Sequence, residues 1–351
     1  MFRYLTYTPS MRRRGVCRGR ARAGKITRLR VFRPAANAVD VRNGVIGMKV
    51  SRGISTFAEG RAKARCGLVI GNFDGVHRGH QSVLWHARVA TARLGIALVV
   101  LTFNRHPKAV LTPACAPSEI LPVREKLLAL ETCDVDHVVL QPFTTAFASL
   151  TPEAFIEDVL VGALNIAWLQ VSKDFRFGAK RAGDFALLAK AGEQHSFTVS
   201  RSDTVLDRGV PISSSTIRQV LGRGDMREAE RLLGRDLAFA GTVLAAAGAR
   251  DGKRWLRVRV GYVRPSLVGL FNAQITFNDG AVVTGVVALS GVPGATHREK
   301  RIAEIFLDGE APLPVGRAVR IRILAPCRAF PSDDTCLAHE EDAMEMAGRS
   351  V

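Results

Sequence analysis

Leu68-Val69-Ile70-Gly71-Asn72-Phe73-Asp74-Gly75-Val76-His77-Arg78-Gly79-His80 joins a short apolar run to a glycine-punctuated turn that ends in two histidines. Cys66 to Ile70 has the unbroken apolar character of a strand buried on both faces of a parallel sheet. From Gln81 onward, Val83, Leu84, Ala87 and Ala90 recur at helical spacing. The glycines therefore fall at a strand-to-helix turn. Backbone N–H groups without intrahelical partners, and the positive end of the helix dipole, point there at whatever binds, which suits the phosphates of a nucleoside triphosphate. His77 and His80 stand three apart and can face one ligand, offering N–H donors without a permanent strong cation. The competing reading is a pair of solvated loop histidines, and the surrounding strand, glycines and helix weigh against it. No cysteine or carboxylate stands at zinc-ligand spacing around the pair, so no metal site is expected in the turn.

A second signal is Pro211-Ile212-Ser213-Ser214-Ser215-Thr216-Ile217-Arg218, ahead of a short helical pattern at Ile217, Val220 and Leu221. Hydroxyls at a helix start are ordinary caps. Beside a triphosphate they gain a second role as donors, and Arg218 in the first turn would neutralise charge on leaving pyrophosphate.

Between the two signals, apolar runs alternate with helical patterns. Helices are expected at 81–95, 123–132, 152–164 and 184–191, with strands at Ile96–Phe103, His137–Leu140, Trp168–Val171 and Phe197–Ser200. Such alternation implies right-handed crossovers and a Rossmann-like parallel sheet covered on both faces. Ligands then bind beyond the carboxyl ends of the strands. Phe103, Phe175 and Phe177 follow strand ends, where they would either flank a planar ligand or pack the rim.

The form G-N-F-D-G-V-H-x-G-H-Q, followed about 130 residues later by I-S-S-S-x-I-R, resembles the adenylyltransferase module of the prokaryotic bifunctional riboflavin kinase/FAD synthetases. Thr102-Phe103-Asn104-Arg105-His106-Pro107 is similar to that family's T-F-x-P-H-P loop, with Arg105 in place of its proline. Asp174 to Asp184 resembles its D-F-R-F-G-x-x-R-x-G-D segment, while Ser172 and Lys173 depart from the usual glycine and acid. The resemblance implies an FMN adenylyltransferase using ATP and Mg²⁺. His77, His80, Ser213 and Arg218 would serve catalysis. Gly71, Asn72, Phe73, Gly75, Gly79, Arg181, Ser214 and Ser215 would hold ATP, and Asp74, His106, Pro107, Asp174, Phe175 and Phe177 would hold FMN.

Strand-like runs continue past Arg235: Phe239–Val243, Trp255–Val260, Leu267–Phe277, Ala281–Leu289, Ile302–Leu307 and Ala318–Leu324, with turns such as Asn278-Asp279-Gly280. A small, divergent β-barrel is expected. The resemblance implies that it derives from the family's kinase module, with Glu304 at the position of its general base. Where the family carries G-x-P-T-x-N, this chain reads Gly248-Ala249-Arg250-Asp251-Gly252-Lys253-Arg254-Trp255-Leu256-Arg257, and P-T-x-N occurs nowhere. The kinase reaction is therefore expected to be lost; the alternative is a bifunctional enzyme whose barrel still phosphorylates riboflavin with substitute ligands.

At 351 residues the chain exceeds what one hydrophobic core usually serves. The expected organisation is a basic extension over 1–47, a transferase domain over 48–235, a barrel over 236–327 and an acidic, poorly ordered tail over 328–351. Residues 1–47 hold twelve Lys and Arg against one acid, supplying +11 of the net +18. Composition of this kind does not build a core. A presequence, a nucleic-acid-binding arm and a dispensable extension upstream of Met48 remain open, and the last is preferred. The longest apolar stretch, Ala281 to Leu289, is far short of the roughly 20 residues needed to span a bilayer. Six scattered cysteines without C-x-x-C spacing suit a reducing cytoplasm. Two rivals stand beside the transferase: a nucleotidyltransferase of the same fold with another acceptor, and a non-catalytic flavin- or RNA-binding paralogue.

Overall fold

The structure is a computed structural model that describes residues 47–59, 64–248, 254–261, 266–289, 301–307 and 315–327. The basic extension up to residue 46, the tail from 328 and residues 249–253 of the divergent segment lie outside the described residues.

The apolar run that opens the key motif is the strand β2 (Cys66–Ile70), in which every residue is buried. It lies inside a six-stranded, all-parallel sheet. In chain order the strands are β1 (Lys49–Ser51), β2, β3 (Ala97–Phe103), β4 (His137–Gln141), β5 (Ile166–Ser172) and β6 (Thr198–Ser202), arranged β1-β4-β3-β2-β5-β6. From β2 the chain winds outward through β3 to β4, then returns to place β5 on the other side of β2. This reversal makes the carboxyl ends of β2 and β5 the expected ligand crevice. β1 is an addition to the sequence reading, since three residues are too few to show alternation.

The helices that cover the sheet are α1 (Ile54–Glu59), α2 (Arg78–Leu94), α3 (Lys108–Leu111), α4 (Val123–Glu131), α5 (Thr145–Ala148), α6 (Pro152–Ala154) and α7 (Phe185–His195), followed by α8 (Ser214–Gly222) and α9 (Met226–Leu233). The helix expected over 152–164 begins at α6 and then widens into a π-helix, Phe155–Ala163. Its broader turn sets Phe155, Ile156, Val159, Leu160 and Leu164 into the cluster beneath β2 and β5. A tight hairpin, β7 (Leu206–Asp207) and β8 (Val210–Pro211), turns through Arg208 and Gly209, both at positive φ, and leads into the Ser213 motif.

The remaining strands close a barrel. β9 (Ala238–Gly248), β10 (Arg254–Val260), β11 (Gly269–Phe277), β12 (Val282–Leu289), β13 (Arg301–Leu307) and β14 (Ala318–Pro326) pair antiparallel in the order β10-β13-β12-β11-β14-β9. Alternation fills the interior with side chains: Leu256, Val258 and Val260 of β10 meet Ala303, Ile305 and Leu307 of β13, while Arg257 and Arg259 face outward.

The cores divide unexpectedly. Two apolar clusters flank the parallel sheet. The third fills the barrel and also takes in Ile120, Leu121, Ile212, Ile217, Leu221 and Leu233, all from loops and helices at the carboxyl edge of the sheet. Supports of the candidate site thus share a core with the barrel. No helix among the described residues is long and apolar enough to cross a membrane.

Candidate active site

The turn after β2 is held in a strained conformation. Phe73 (φ 48°) and Val76 (φ 36°) have left-handed backbones, as does Gly75 (φ 82°). For a β-branched residue such as Val76 this costs on the order of 1–3 kcal/mol, which persists only where surroundings enforce it. The enforcement is visible. Both Phe73 and Val76 are buried. The Val76 carbonyl accepts from Gln81 Nε2 at 2.9 Å and from Arg235 at 3.0 Å, and Arg235 also donates to Gly75 O.

His77 caps α2, its Nδ1 accepting from the His80 backbone N–H at 3.3 Å. The two imidazoles stack with centroids 3.7 Å apart, and the Phe73 ring lies 5.1 Å from that of His80. Burial, reinforced by the Arg235 and Arg218 guanidinium groups, holds His77 down to about 4. Burial likewise pushes His80 well below its ordinary value, with His77, Arg235 and Lys126 adding to the effect. Both rings are therefore neutral at pH 7. Since Nδ1 of His77 is an acceptor, its proton resides on Nε2. The buried Nδ1 of His80 has no hydrogen-bond partner among the described residues, an unmet demand of the kind an absent ligand would satisfy.

The glycine between the histidines has a steric reason. A Cβ on Gly79 would stand 2.9 Å from the Ile212 carbonyl oxygen and 3.0 Å from His77 Nδ1. Only a bare backbone lets the histidine turn and the hydroxyl motif approach this closely. Ser213 caps α8 by accepting from Thr216 N–H at 3.1 Å, and Ser214 Oγ donates to Asp74 O at 2.9 Å. Ser215 is exposed.

Asp74 and Arg218 are bound to each other. One Asp74 carboxylate oxygen pairs with Arg218, and the other accepts from the backbone of Ile120 at 3.0 Å and of Leu121 at 3.5 Å. Arg218 also donates through Nε to Ser118 O at 2.6 Å. The residues expected to meet flavin and pyrophosphate thus form a tie between motif and loop. Asp74 faces a cavity lined also by Asn72, Phe103, Asn104, Arg105, His106, Ser118, Glu119 and Lys126 among others. His106 is held down to about 4, by burial first and then by Arg218, partly offset by Asp74. Pro107 is the N-cap residue of the short helix α3.

Lys126 is the main addition to the sequence reading. Buried on α4, its ammonium reaches the carboxyl ends of two strands, donating to Phe103 O at 2.7 Å, Asn72 O at 3.2 Å and Thr102 Oγ1 at 3.4 Å. Burial lowers it to about 8, against the pull of Asp74 and Glu119. A lysine among the inward positions of α4, beside Ala129 and Leu130, was the available signal.

The segment after β5 follows the other strand of the crevice but does not line this cavity. Asp174 and Arg181 are exposed, and Phe177 is buried in the cluster under the sheet with its ring stacked on Phe175 at 5.8 Å. Gly71 donates its N–H to Leu101 O at 3.1 Å and so ties the start of the turn to β3. In the barrel, Glu304 stands opposite Arg257 on the outer face, since its neighbours Ala303 and Ile305 fill the interior. Among the described residues no group of three or more His, Cys, Asp or Glu could hold a metal.

Residues 60–216 match the FAD synthetase family. The bifunctional riboflavin kinase/FMN adenylyltransferase of Escherichia coli (strain K12) is 40% identical over 197 residues, which is 56% of this chain and 63% of that enzyme. The chain thus spans just under two thirds of that relative. The Pseudomonas fluorescens protein of the same name is 35% identical over 244 residues, 69% of this chain and 78% of its own. That of Haemophilus influenzae (strain Rd) is 30% identical over 305 residues, 86% of this chain and 98% of its own. A crystal structure titled as a macrolide-efflux protein from Streptococcus pneumoniae superimposes with a TM-score of 0.62, covering 86% of this chain and 98% of that one. At 24% identity it shows a shared fold alone. With the strained histidine turn, the hydroxyl motif and the closed barrel all in place, and with a relative aligned over nearly its whole length, the chain belongs to the bifunctional riboflavin kinase/FMN adenylyltransferase family.

Proposed function

We propose that the chain is an FMN adenylyltransferase, an FAD synthetase that joins FMN to the AMP part of ATP. The observation that carries this reading is the stacked His77–His80 pair, neutral yet surrounded by Arg218, Arg235 and Lys126. A positive field around neutral donors suits a polyanion whose charge shifts during reaction. An FMN phosphate oxygen attacks the α-phosphorus of ATP. A new P–O–P linkage forms, the bond between the α-phosphorus and its bridging oxygen to the β-phosphorus breaks, and pyrophosphate leaves. No protein nucleophile is needed, because positioning and charge stabilisation supply the catalysis.

In this reading Nε2–H of His77 and the imidazole of His80 meet the α and β phosphates. Gly75 and Gly79 let the backbone approach. Ser213, Ser214, Ser215 and Arg218 face the leaving pyrophosphate, Arg218 doing so while still tied to Asp74. Gly71, Asn72, Phe73 and Arg181 complete the ATP side. The flavin side takes the cavity beside Asp74, His106 and Pro107, with Asp174 and Phe175 approaching from the strand across the crevice and the buried Phe177 supporting Phe175 from beneath. Mg²⁺ would ride on triphosphate oxygens, the usual arrangement where no protein cage is provided. We assign the transferase to residues 48–235 and the barrel to 236–327, and place the enzyme in the cytoplasm on its scattered cysteines.

The second reading adds riboflavin phosphorylation by the barrel, and the Haemophilus alignment through 98% of that bifunctional relative favours it. Against it, P-T-x-N is missing and Glu304 lies opposite Arg257 on the outer wall. Incubating the protein and ATP with FMN or with riboflavin, and separating FMN from FAD by chromatography, tests both. FAD from FMN and no FMN from riboflavin is the expected result. FMN formed from riboflavin at enzymatic rates, and abolished by Glu304→Ala, would restore the bifunctional assignment. No FAD in either arm would overturn the adenylyltransferase.

A further inference from the structure

The cavity wall formed by residues 118–121 has no regular secondary structure of its own, so its backbone polar groups must be satisfied from outside. From the sheet side, Asp74 takes the N–H groups of Ile120 and Leu121, and Arg218 takes Ser118 O. From the other side the partner is the barrel. Ser266, in the connection between β10 and β11, donates its backbone N–H to Glu119 O at 2.8 Å and its hydroxyl to the same oxygen at 2.9 Å. Having given its only hydroxyl proton there, Ser266 Oγ must accept from Ser118 Oγ at 3.1 Å.

Two further contacts run parallel to this one. Glu125, one residue before the cavity's Lys126, is buried and accepts from Ala240 N–H of β9 at 3.0 Å, with Arg320 of β14 at 3.5 Å. Ile120 and Leu121 are packed in the barrel's apolar cluster together with Leu267, the neighbour of Ser266. A loop with both faces committed in this way has its position set by two bodies at once.

We propose that Ser266, in the stretch that leads into β11, is a positioning residue of the flavin-side cavity, so that the barrel fixes the 118–121 wall and serves adenylyl transfer without taking part in the chemistry. This inference rests on the adenylyltransferase reading. It gives the barrel a role that does not depend on any kinase activity. Ser266 touches no reacting atom in this account and acts only through Ser118 and Glu119.

The test uses the full-length protein and its Ser266→Ala, Ser266→Thr and Ser118→Ala variants, with FMN-dependent pyrophosphate release and peptide-resolved hydrogen exchange measured on each. Loss of the hydroxyl pair, at the usual net strength of such bonds, should speed exchange at Ile120 and Leu121 by roughly two- to tenfold. It should raise the KM for FMN by a similar factor while kcat changes less. Ser266→Thr, which keeps the hydroxyl, should restore both. Ser118→Ala should weaken the wall too, and in the Ser118→Ala/Ser266→Ala double variant the two effects should come to less than their sum, because the two hydroxyls share a bond. An active wild type whose Ser266→Ala variant keeps its local exchange and its KM for FMN overturns this inference alone. So does a variant whose exchange rises evenly over the whole chain. A wild type that releases no pyrophosphate overturns the adenylyltransferase reading and the inference with it.

Discussion

Replacing Lys126 with Met should separate activity from stability. The side chain is 8% exposed, and burial draws its ammonium from 10.5 down to about 8 despite attraction from Asp74 and Glu119. At about 1.4 kcal/mol per pKa unit, the charged form costs about 3 kcal/mol more in its folded site than in water. Methionine has comparable length and removes that cost. In exchange, Phe103 O loses its ammonium partner, whereas Asn72 O keeps the Thr102 hydroxyl at 3.1 Å. One orphaned carbonyl costs about 1–3 kcal/mol, so the two effects offset to within about 2 kcal/mol. The melting temperature should then move by only a few degrees. Catalysis has no such compensation: loss of a fixed charge beside the cavity should lower kcat/KM for FMN-dependent pyrophosphate release by roughly 10–10²-fold. Urea unfolding adds a second check. Between about 8 and 10.5 the unfolded chain holds a proton on this lysine that the folded chain has released, so wild-type stability rises with pH across that window. The Met variant lacks this rise, and its stability relative to wild type should decline on going to alkaline pH. Wild-type turnover together with a large fall in melting temperature would show that Lys126 is only a structural tie.

Three further outcomes follow from the same geometry. His80→Ala should cut turnover by roughly 10²–10³-fold in a folded protein, the usual loss for one preorganised donor, and near-normal turnover would remove His80 from the chemistry. Gly79→Ala should lower the melting temperature despite alanine's helix preference of about 1 kcal/mol, because its Cβ would press on the Ile212 carbonyl at 2.9 Å; a stabilised variant would refute that contact. Pyrophosphate brings negative charge to His77, held down to about 4 by burial first and then by neighbouring arginines, so binding should take up protons and tighten as pH falls from 7 towards 5. Calorimetry in two buffers of different ionisation enthalpy reads this uptake, and identical heats would contradict it. Without ligand the sign reverses. Unfolded histidines protonate below about 6.5 while the folded ones resist until about 4, so stability should fall with acid across that window.

How far the sequence carried the reading depended on whether a signal was local. β2 was legible because five consecutive buried residues leave no other role for Cys66–Ile70, and the glycines after it mark a turn whatever lies around it. The barrel strands were legible from alternation, as in Leu256-Arg257-Val258-Arg259-Val260. β1 escaped because three residues carry no period, and its identity as a strand comes only from pairing with β4. The π-helix escaped for a related reason: Phe155, Ile156, Val159 and Leu160 fit α-helical spacing, and the wider turn shows in the hydrogen bonding, as in the bond from Leu164 N–H to Val159 O.

The site was half legible, and the missing half is electrostatic. His77, His80, Ser213 and Arg218 announce themselves by spacing, but the burial that chiefly keeps the histidines neutral, and the cationic field that adds to it, do not. That field is assembled from Lys126 on α4, Arg218 on α8 and Arg235 just past α9, three cations more than a hundred residues apart at the extremes. No window on the chain contains them together. The same holds for Asp74, whose place in the turn suggested a ligand contact. Its carboxylate lines the cavity and is also bound to Ile120, Leu121 and Arg218, which come from segments nearly a hundred residues apart in the chain. A ligand that draws on Arg218, which stays tied to Asp74 and to Ser118 O, would therefore pull on the 118–121 wall at the same moment. One consequence is that pyrophosphate and flavin should not bind independently. The coupling passes through the Asp74–Arg218 pair and the Arg218 bond to Ser118 O, and Asp74→Asn, which weakens the pair while keeping the side-chain oxygen that Ile120 and Leu121 use, should reduce the difference in pyrophosphate affinity measured by calorimetry with and without FMN; an unchanged difference would refute the coupling.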